Sequence, residues 1–511
     1  MSASPTSSPP IRWWPAGVIL GLMVGFLAYF WLAPMPSDQQ RVIPTFPTLF
    51  FGVLLLFLWL VLFSRLPRKT RRSIFLVTAG VVALGFLTLE IEGVDGNLVP
   101  IVGFRWSGER TFEDEAEGRG GAVVAGPDDY PQFYGPSRDA TLAGPSLARD
   151  WGAEPPREVW RREVGEGWSA FAVVGEAAVT QEQRGDQEVV VRYARSTGEQ
   201  VWIHSDRAPF DTTVGGRGPR ATPTIVDGRV YTLGATGILN CLDLATGRRV
   251  WTTNVLADTG AGQPEWGMPS SPLVVGPTLV VQLGRRGPSL AAYDRATGEL
   301  AWQEGRDTGS YNTPALARLG GREQIVTVNN RSVAAHDPRT GRILWSEPWE
   351  LPGERVTPVL QLTDDLLLVS AGYGVGSRLL RVTAVGDRFG VEEIWESRRL
   401  KSKFAPMVVH GGVVYGLDDG VLVALDPETG ERLWKRGRYG HGQMILVQDL
   451  LLIQAENGDV VLVEASPEEH RELGRFAALD GKTWNPPALS GDLLLVRNNK
   501  EAAAYRLPLA E

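Results

Sequence analysis

The sequence predicts an all-β fold, an eight-bladed β-propeller of four-stranded blades, preceded by about three N-terminal transmembrane α-helices. Three observations lead to this prediction. A short phrase recurs along the chain, in which a Thr-Gly pair is followed, four residues after the glycine, by tryptophan. Four short apolar strands lie between consecutive copies, and long uncharged apolar runs stand near the N-terminus.

The repeated phrase gives the period of the fold. Its five strict copies are STGEQVW ending at Trp202, ATGRRVW at Trp251, ATGELAW at Trp302, RTGRILW at Trp345 and ETGERLW at Trp434. Looser copies end at Trp160, Trp395 and Phe476. The aromatic ends stand about 40 to 50 residues apart, which is the period of a four-stranded propeller blade. Residues 156–508 are therefore predicted to form the propeller.

Each repeat is predicted to be one small antiparallel sheet. In the repeat that ends at Trp251, strands rich in Val, Ile, Leu and Tyr are separated by turn residues at Asp227-Gly228, Gly237 and Gly247. The Thr-Gly element is a tight turn before the outer strand, because the preceding aspartate can bond the backbone and the glycine accepts a positive φ. The tryptophan then lies where its ring can pack between blades. We expect this structural role for Trp160, Trp202, Trp251, Trp302, Trp345, Trp395 and Trp434.

The ring is predicted to close with strands from both ends of the repeat region. The last stretch, Asn485 to Leu507, supplies three strands and lacks a terminal tryptophan strand. We expect the missing strand to be REVWRREV, around Trp160. Closing the ring in this way leaves no open sheet edge, and such edges promote aggregation.

Residues 1–92 are predicted to be a membrane anchor. Apolar runs cover residues 13–34, 43–63 and 73–89, and each approaches the roughly 20 residues that a helix needs to cross a bilayer. Three helices are expected; because the third run is the shortest, two helices are the alternative. A cleaved signal peptide fits poorly, since only one basic residue, Arg12, precedes the first run and further runs follow it.

The loops between these runs predict the orientation of the anchor. The second loop, SRLPRKTRR, is strongly basic, whereas the first contains only Asp38 and Arg41 as charged residues. Basic loops stay in the cytoplasm. With three spans, the N-terminus then lies in the cytoplasm and the propeller lies in the periplasm, attached to the inner membrane. With only the first two spans, the propeller would be cytoplasmic.

Residues 93–155 are predicted to be a linker and a lead-in segment. The part from Trp106 to Asp129 is acidic, glycine-rich and unpatterned, which is typical of a solvated, flexible tether. The net charge of −8 argues against a nucleic-acid partner, whose binding surface would be basic. The single cysteine, Cys241, lies in an alternating strand and is expected to be a small buried apolar side chain.

The repeats also align a set of residues that we call the mouth ring. Each member stands three residues before the residue that enters an innermost strand, so all should surround one mouth of the central channel, here called the inner-strand mouth. The ring consists of Trp168, Arg220, Pro269, Tyr311, Arg355, Lys403, His441 and Trp484. It holds cations and aromatic rings but no carboxylate, which favours an anionic or planar binding partner. The candidate binding residues are all of these except Pro269.

The sequence gives no catalytic residue and no metal site. The five histidines are scattered over different blades, and none belongs to an HExxH motif or a close pair. A hard cation such as Ca²⁺ prefers six to eight oxygen ligands. Only Glu166, Glu265 and Glu354 stand near the inner-strand mouth in the sequence.

The repeated Thr-Gly-x-x-x-Trp phrase resembles the pyrroloquinoline-quinone-like (PQQ-like) repeat shared by quinoprotein alcohol dehydrogenases and by BamB, the propeller lipoprotein of outer-membrane barrel assembly. The resemblance covers about residues 157–508. The segment from Tyr130 to Trp151 is also similar to the lead-in of a planctomycete-type group of proteins with this repeat. Unlike BamB, this chain has no lipobox cysteine, and a helical anchor stands in place of the lipid.

Two functions follow from the resemblance. In the first, the propeller is a non-catalytic binding or scaffold module, BamB-like, in cell-envelope assembly, and it contacts a protein or an anionic envelope partner at its mouth without a cofactor. In the second, the chain is a membrane-bound quinoprotein that oxidises an alcohol or a sugar with pyrroloquinoline quinone and Ca²⁺, as an anchor ahead of a propeller is similar to membrane glucose dehydrogenases. The absence of a vicinal cysteine pair, of a ring carboxylate and of long inserted loops favours the first.

Overall fold

The computed structural model describes residues 11–35, 37–106, 112, 120–350 and 353–510. The chain forms two compact units, Met1–Thr111 and Phe112–Glu511. Half of the predicted tether, residues 107–111 and 113–119, lies outside the described residues.

The N-terminal unit contains three apolar helices in its described part. They are Trp14–Leu32, Gln39–Leu58 and Arg68–Thr88, and the second continues as a π-helical turn, Trp59–Phe63. By length and composition each can cross a membrane, with candidate spans Trp14–Leu32, Gln39–Phe63 and Arg68–Thr88. A two-stranded antiparallel sheet follows, made of Leu89–Val94 and Pro100–Phe104. This hairpin falls among residues that the sequence analysis took for the end of the anchor and the start of a linker.

The C-terminal unit confirms the predicted propeller: its described residues form eight blades, each with four antiparallel strands, and the sheet of blade 7 gains a fifth strand, Thr141–Leu142. From the axis outwards, blade 1 contains Ala172–Val174, Ala177–Arg184, Gln187–Ala194 and Gln200–Asp206. Blade 2 contains Thr224–Val226, Arg229–Leu233, Ile238–Asp243 and Arg249–Asn254. Blade 3 contains Leu273–Val275, Thr278–Gln282, Leu290–Asp294 and Leu300–Glu304. Blade 4 contains Ala315–Leu319, Arg322–Val328, Ser332–His336 and Ile343–Pro348.

The other four blades repeat this order of strands. Blade 5 contains Leu360–Gln361, Leu366–Ala371, Gly376–Val385 and Arg388–Ser397. Blade 6 contains Val408–His410, Val413–Asp418, Val421–Leu425 and Arg432–Arg438. Blade 7 contains Gln443–Val447, Leu450–Gln454, Asp459–Glu464 and Glu472–Ala477. Blade 8 contains Ala488–Ser490, Leu493–Arg497, Glu501–Arg506 and Arg157–Glu163. One short helix, Val255–Thr259, follows blade 2.

Blade 8 closes the ring as predicted. Its outer strand, Arg157–Glu163, precedes blade 1 in the chain and pairs antiparallel with Glu501–Arg506, so that Trp160 stands opposite Ala504. The closing strand therefore joins the two ends of the propeller sequence.

The middle strands of the blades form the core. All residues of Leu450–Gln454 and Leu493–Arg497 are buried, whereas the outer strand Leu300–Glu304 is mostly exposed. Blades pack face to face around the axis, so their middle strands are covered on both sides and do not alternate between apolar and polar residues. Cys241 lies in this core, 1% exposed.

Each strict Thr-Gly turn receives the tryptophan of the preceding blade. The five turn glycines have φ between +69° and +77°, and a Cβ on any of them would stand within 2.8 Å of that indole ring. The pairs are Trp160 with Gly198, Trp202 with Gly247, Trp251 with Gly298, Trp302 with Gly341, and Trp395 with Gly430. The glycine of the repeat is thus required twice, by its backbone conformation and by the ring packed on it.

Most of these tryptophans also bond the next blade. The indole N–H groups donate to backbone carbonyl oxygens of Arg195, Leu244, Arg295, Pro427 and Ser466, at 2.9–3.1 Å, from Trp160, Trp202, Trp251, Trp395 and Trp434 respectively. Trp302 contacts Gly341 without such a bond. At the junctions of Trp160, Trp202, Trp251 and Trp395, neighbouring blades are therefore joined by both apolar packing and a hydrogen bond.

Two junctions have neither the Trp–Gly contact nor the indole hydrogen bond to the next blade. Blade 5 has no Thr-Gly turn, because Gly376–Val385 and Arg388–Ser397 form a long hairpin, and Trp345 instead donates to Gln324 Oε1 of its own blade at 2.7 Å. Between blades 7 and 8 the outer aromatic residue is Phe476. There Trp151, from the lead-in segment, packs on Phe476 with ring centroids 5.8 Å apart.

The lead-in segment, Tyr130 to Trp151, crosses the central channel. Tyr130 exchanges backbone hydrogen bonds with Val173 of blade 1, and the Pro131 carbonyl accepts from Ile225 N of blade 2 at 2.8 Å. On the other side of the axis, Thr141–Leu142 pairs in parallel with the inner strand Gln443–Val447 of blade 7. A segment joined to these three inner strands lies across the channel, so it is part of the propeller and not a linker.

Two side chains of the lead-in segment, Arg138 and Tyr134, bond residues at the start of inner strands. Arg138 donates to the carbonyls of Ser271 and Pro272 at 3.1 and 3.0 Å, just before the inner strand of blade 3. Tyr134 Oη donates to Gln443 Oε1 at 2.7 Å. Burial lowers the pKa of Arg138 to about 9.

Candidate functional site

The structure brings the seven candidate binding residues of the mouth ring to the inner-strand mouth. Trp168 and Trp484 are in ring contact at 4.9 Å, and Trp168 Nε1 donates to the Gly215 carbonyl, which also accepts from Arg220. Each residue stands in a loop that leads into an inner strand, and the closed ring of blades places these loops side by side.

Aromatic rings outside the predicted set complete the surface. Trp266 stacks on Tyr311 at 4.8 Å, and Phe404 contacts both Trp484 at 5.1 Å and His441 at 5.9 Å. Neither Trp266 nor Phe404 belongs to the aligned ring, and Phe404 follows the ring member Lys403 by one residue. An aromatic residue directly after a ring position is the signal that could have identified it.

Most of the ring is less accessible than predicted. Trp168 is 9% exposed, Tyr311 7%, Lys403 and His441 4% each, and Arg355 1%; Arg220 and Trp484 are half-buried. Side chains with accessible surface at this mouth include Trp484, Trp266 and Lys482 together with the more exposed Arg217 and Arg285. A large partner would therefore contact this second set first.

The two ring arginines are bound to the protein backbone. Arg220 Nη2 donates to the carbonyls of Gly215 and Gly216 at 2.9 and 2.6 Å, and its guanidinium lies 4.6 Å from the Phe210 ring centroid. Arg355 donates to the carbonyls of Trp349 and Gly353. Burial lowers the pKa of Arg220 to about 10 and lowers that of Arg355. Both arginines thus hold their loops in place.

The lysines of the mouth lie over aromatic rings. Lys403 Nζ is 4.6 Å from the Tyr373 centroid and 5.2 Å from that of Phe404. Lys482 Nζ is 4.3 Å from the centroid of Trp484 and 4.6 Å from that of Trp168. Such cation–π contacts stabilise the ammonium groups over the aromatic rings of the mouth.

Carboxylates that are not members of the mouth ring also stand at this mouth. Glu456 accepts hydrogen bonds from Trp484 Nε1 and from the His441 backbone, both at 2.8 Å. Arg217 pairs with Glu166 at 2.8 Å and Arg285 with Glu354 at 3.3 Å. The inner-strand mouth is therefore a mixed-charge surface on which the cations are partly balanced.

A buried carboxyl lies behind the ring. Glu188 of blade 1 is 6% exposed and accepts a hydrogen bond from Ala235 N at 2.9 Å. Burial raises its pKa to about 7, and the nearby Arg220 opposes this shift. The group is thus poised to change charge near neutral pH.

The donor set does not fit a hard metal ion. Within the described ranges of the chain, no three His, Cys, Asp or Glu side chains come together as a potential metal site. The carboxylates at the mouth are spread over several blades and paired with arginines or backbone donors, whereas Ca²⁺ needs several oxygens around one point. A single cysteine also cannot supply a vicinal pair.

Residues 185–436 match the family model described as outer membrane protein assembly factor BamB. Over these residues the propeller is similar to BamB. Over 280 residues the chain is 26% identical to BamB of Burkholderia pseudomallei, covering 47% of this chain and 69% of that protein. The BamB structure from Moraxella catarrhalis superposes with a TM-score of 0.52 at 16% identity, covering 70% of this chain and 99% of that one.

The propeller is also similar to quinoproteins. The dehydrogenase subunit of a quinone alcohol dehydrogenase from Gluconacetobacter polyoxogenes is 25% identical over 316 residues, which is 52% of this chain and 39% of that subunit. The chain thus spans about two fifths of the dehydrogenase subunit's length. The PQQ-like repeat is shared with both groups, and the identity to each is low.

Proposed function

We propose that the chain is a membrane-anchored propeller that acts as a non-catalytic binding or scaffold module in the cell envelope. The lead-in segment carries this proposal. It crosses the channel and bonds the inner strands of blades 1, 2 and 7, so a ligand on the axis would have to share the channel with the chain itself. The inner-strand mouth then serves as an outer contact surface rather than as the lining of a catalytic pocket.

The chemistry of the mouth supports a protein or an anionic envelope polymer as the partner. Trp484 and Trp266 offer two half-buried indoles, a side chain enriched at protein interfaces, and the cation of Lys482 beside them favours anionic groups. BamB-like relatives include an outer-membrane assembly factor, which agrees with a partner in the envelope.

The three apolar helices support anchoring in the inner membrane, with the propeller in the periplasm. The basic loop between the second and third helices would stay in the cytoplasm, and everything after Leu89 would then lie on the opposite side. An alkaline-phosphatase fusion after Leu89 should be active, and a matched fusion after Leu66 should be inactive. The reverse pattern would put the propeller in the cytoplasm.

Cofactor titration separates the two functional classes. Full-length protein in lipid nanodiscs is mixed with pyrroloquinoline quinone and Ca²⁺, and absorbance and dye-linked oxidation of alcohols and sugars are followed. We expect neither saturable binding at micromolar cofactor nor turnover. Saturable micromolar binding with turnover would establish a dehydrogenase. This function is the second candidate because the chain is similar to the quinone alcohol dehydrogenase subunit.

Cross-linking in cells tests the contact surface. A photo-reactive phenylalanine analogue at Trp484 should give a discrete adduct, and the same analogue at Val385, an 81% exposed apolar residue on the blade 5 hairpin, should give none. Adding Lys482→Glu should weaken the adduct at Trp484. Equal adducts at both positions would show that the inner-strand mouth is not the binding surface.

A further inference from the structure

The hairpin that follows the third helix has one apolar face. In its register Leu89 stands opposite Phe104 and Ile91 opposite Val102, so these four side chains share a face, whereas Glu90 points to the other. Ile91 is 61% exposed, and Val102 and Phe104 are 56% exposed each. A two-stranded hairpin with an uncovered apolar face is at best marginally stable in water.

The hairpin lies across one end of the helices. Its first strand begins at Leu89, directly after the helix Arg68–Thr88 ends, and Arg105 N donates back to the Thr88 carbonyl at 3.0 Å. Its turn reaches the start of the second helix, where Gln39 Nε2 donates to the Gly96 carbonyl at 3.1 Å. The sheet therefore spans from the end of one candidate membrane span to the beginning of another.

Aromatic and basic residues continue from the second strand. Trp106, 65% exposed, stacks on Phe104 with ring centroids 5.7 Å apart, and Arg105 stands between them in the sequence. Tryptophan at the headgroup level and arginine near helix ends are typical of membrane–water interfaces. The end of a spanning helix is where that interface lies.

We propose that this hairpin is an interfacial membrane-binding element, with the face of Leu89, Ile91, Val102 and Phe104 in the boundary between lipid headgroups and acyl chains. The bilayer itself covers the apolar face, because this face directly follows the candidate membrane span Arg68–Thr88 of the same chain. The inference rests on the proposed membrane anchoring. It adds that the chain after the third helix remains on the membrane surface for a further hairpin.

Site-specific fluorescence in proteoliposomes tests the proposal on the full chain. With Cys241→Ala as background, single cysteines at Ile91 and at Val102 carry an environment-sensitive dye, with Glu90→Cys as the matched control on the opposite face. We expect quenching by lipids with brominated acyl chains to be at least about twofold stronger at Ile91 and Val102 than at Glu90. Two labelled positions on separate strands guard against one variant that misfolds.

A dye at Val81, an exposed position within the third helix, distinguishes failure of this proposal from failure of the anchor. If Val81 is quenched but Ile91 and Val102 are no more quenched than Glu90, the helix is anchored and the interfacial hairpin is wrong. If Val81 is not quenched either, anchoring by the third helix is wrong, and the hairpin proposal falls with it.

Discussion

At the scale of single residues, the packing of the Thr-Gly turn explains why each copy of the repeat contains both a glycine and a tryptophan. The indole of one blade packs on the Cα of that glycine in the next blade, so tryptophan and glycine in one copy serve two different junctions. The turn aspartate adds hydrogen bonds from the backbone: Asp294 Oδ1 accepts from Ala296 N and Thr297 N at 2.8 and 2.9 Å.

Gly298→Ala should therefore destabilise the propeller more than an alanine in an open turn. Gly298 has φ +77° and would place its Cβ within 2.6 Å of Trp251. Backbone strain costs about 1 kcal/mol and the clash about 1–3 kcal/mol more. Gly276→Ala is the matched control in the same blade, with φ +56° and open space around the new Cβ. Thermal unfolding of both variants measures the difference, and equal losses would show that the indole contact contributes nothing.

Glu188 should make stability depend on pH. Its folded pKa of about 7 lies above the unfolded value of 4.5, so the folded chain retains a proton that the unfolded chain loses between these values. Stability from this group therefore falls as pH rises from 4.5 to 7, by up to about 3 kcal/mol. Glu188→Gln should match the wild type near pH 4.5 and unfold at higher temperature at pH 8. A temperature difference that is the same at both pH values would contradict this assignment.

At the scale of elements, the lead-in segment joins blades that are far apart in the sequence. Arg138 donates to Ser271 O, Pro272 O and Gln132 Oε1, and all three acceptors are near the channel. The segment thus acts as an internal strap across the inner strands, in addition to the contacts between neighbouring blades.

Arg138→Met should loosen this strap and lower the unfolding free energy by about 1–3 kcal/mol, because buried carbonyl acceptors lose their donor. Arg149→Met is the matched control: this arginine of the same segment pairs with Glu464 at 2.6 Å, but its side chain is 46% exposed. We expect a loss below about 1 kcal/mol there. Hydrogen exchange should rise in the inner strands of blades 1 and 7 for Arg138→Met only. Unchanged exchange in those strands would show that the segment does not support them.

The same elements show which features the sequence could predict. Blade number and closure were predictable because the Thr-Gly-x-x-x-Trp spacing is local and repeats. The lead-in contacts were not, since Tyr134 bonds Gln443 across most of the chain and belongs to no repeat. Glu456 was missed at the mouth for a similar reason: it lies in the turn after an inner hairpin, outside the positions that the repeats align.

At the scale of the whole molecule, closure of the ring by Arg157–Glu163 should dominate stability. Arg157 and Arg506 are opposite one another in the closing pair, and both are exposed. A disulfide between Arg157→Cys and Arg506→Cys would close a loop of about 350 residues and should stabilise the fold by about 5–6 kcal/mol. Unfolding with and without reductant measures this effect in one and the same protein.

The control disulfide joins Val385→Cys and Arg388→Cys, which are opposite one another across the tip of the blade 5 hairpin. It closes a very short loop, so the gain should be small. If both disulfides gave the same change, separation of blade 8 from the closing strand would not be part of unfolding.

The closing strand also has a consequence for biosynthesis. Arg157–Glu163 is made before blade 1, but its partner Glu501–Arg506 is made about 340 residues later. At about 5–20 residues per second, the nascent chain carries an unpaired strand edge for about 20 to 70 s. During that interval the incomplete ring can pair wrongly with other chains, so we expect its production to depend on chaperones that hold the growing polypeptide until the final strand arrives.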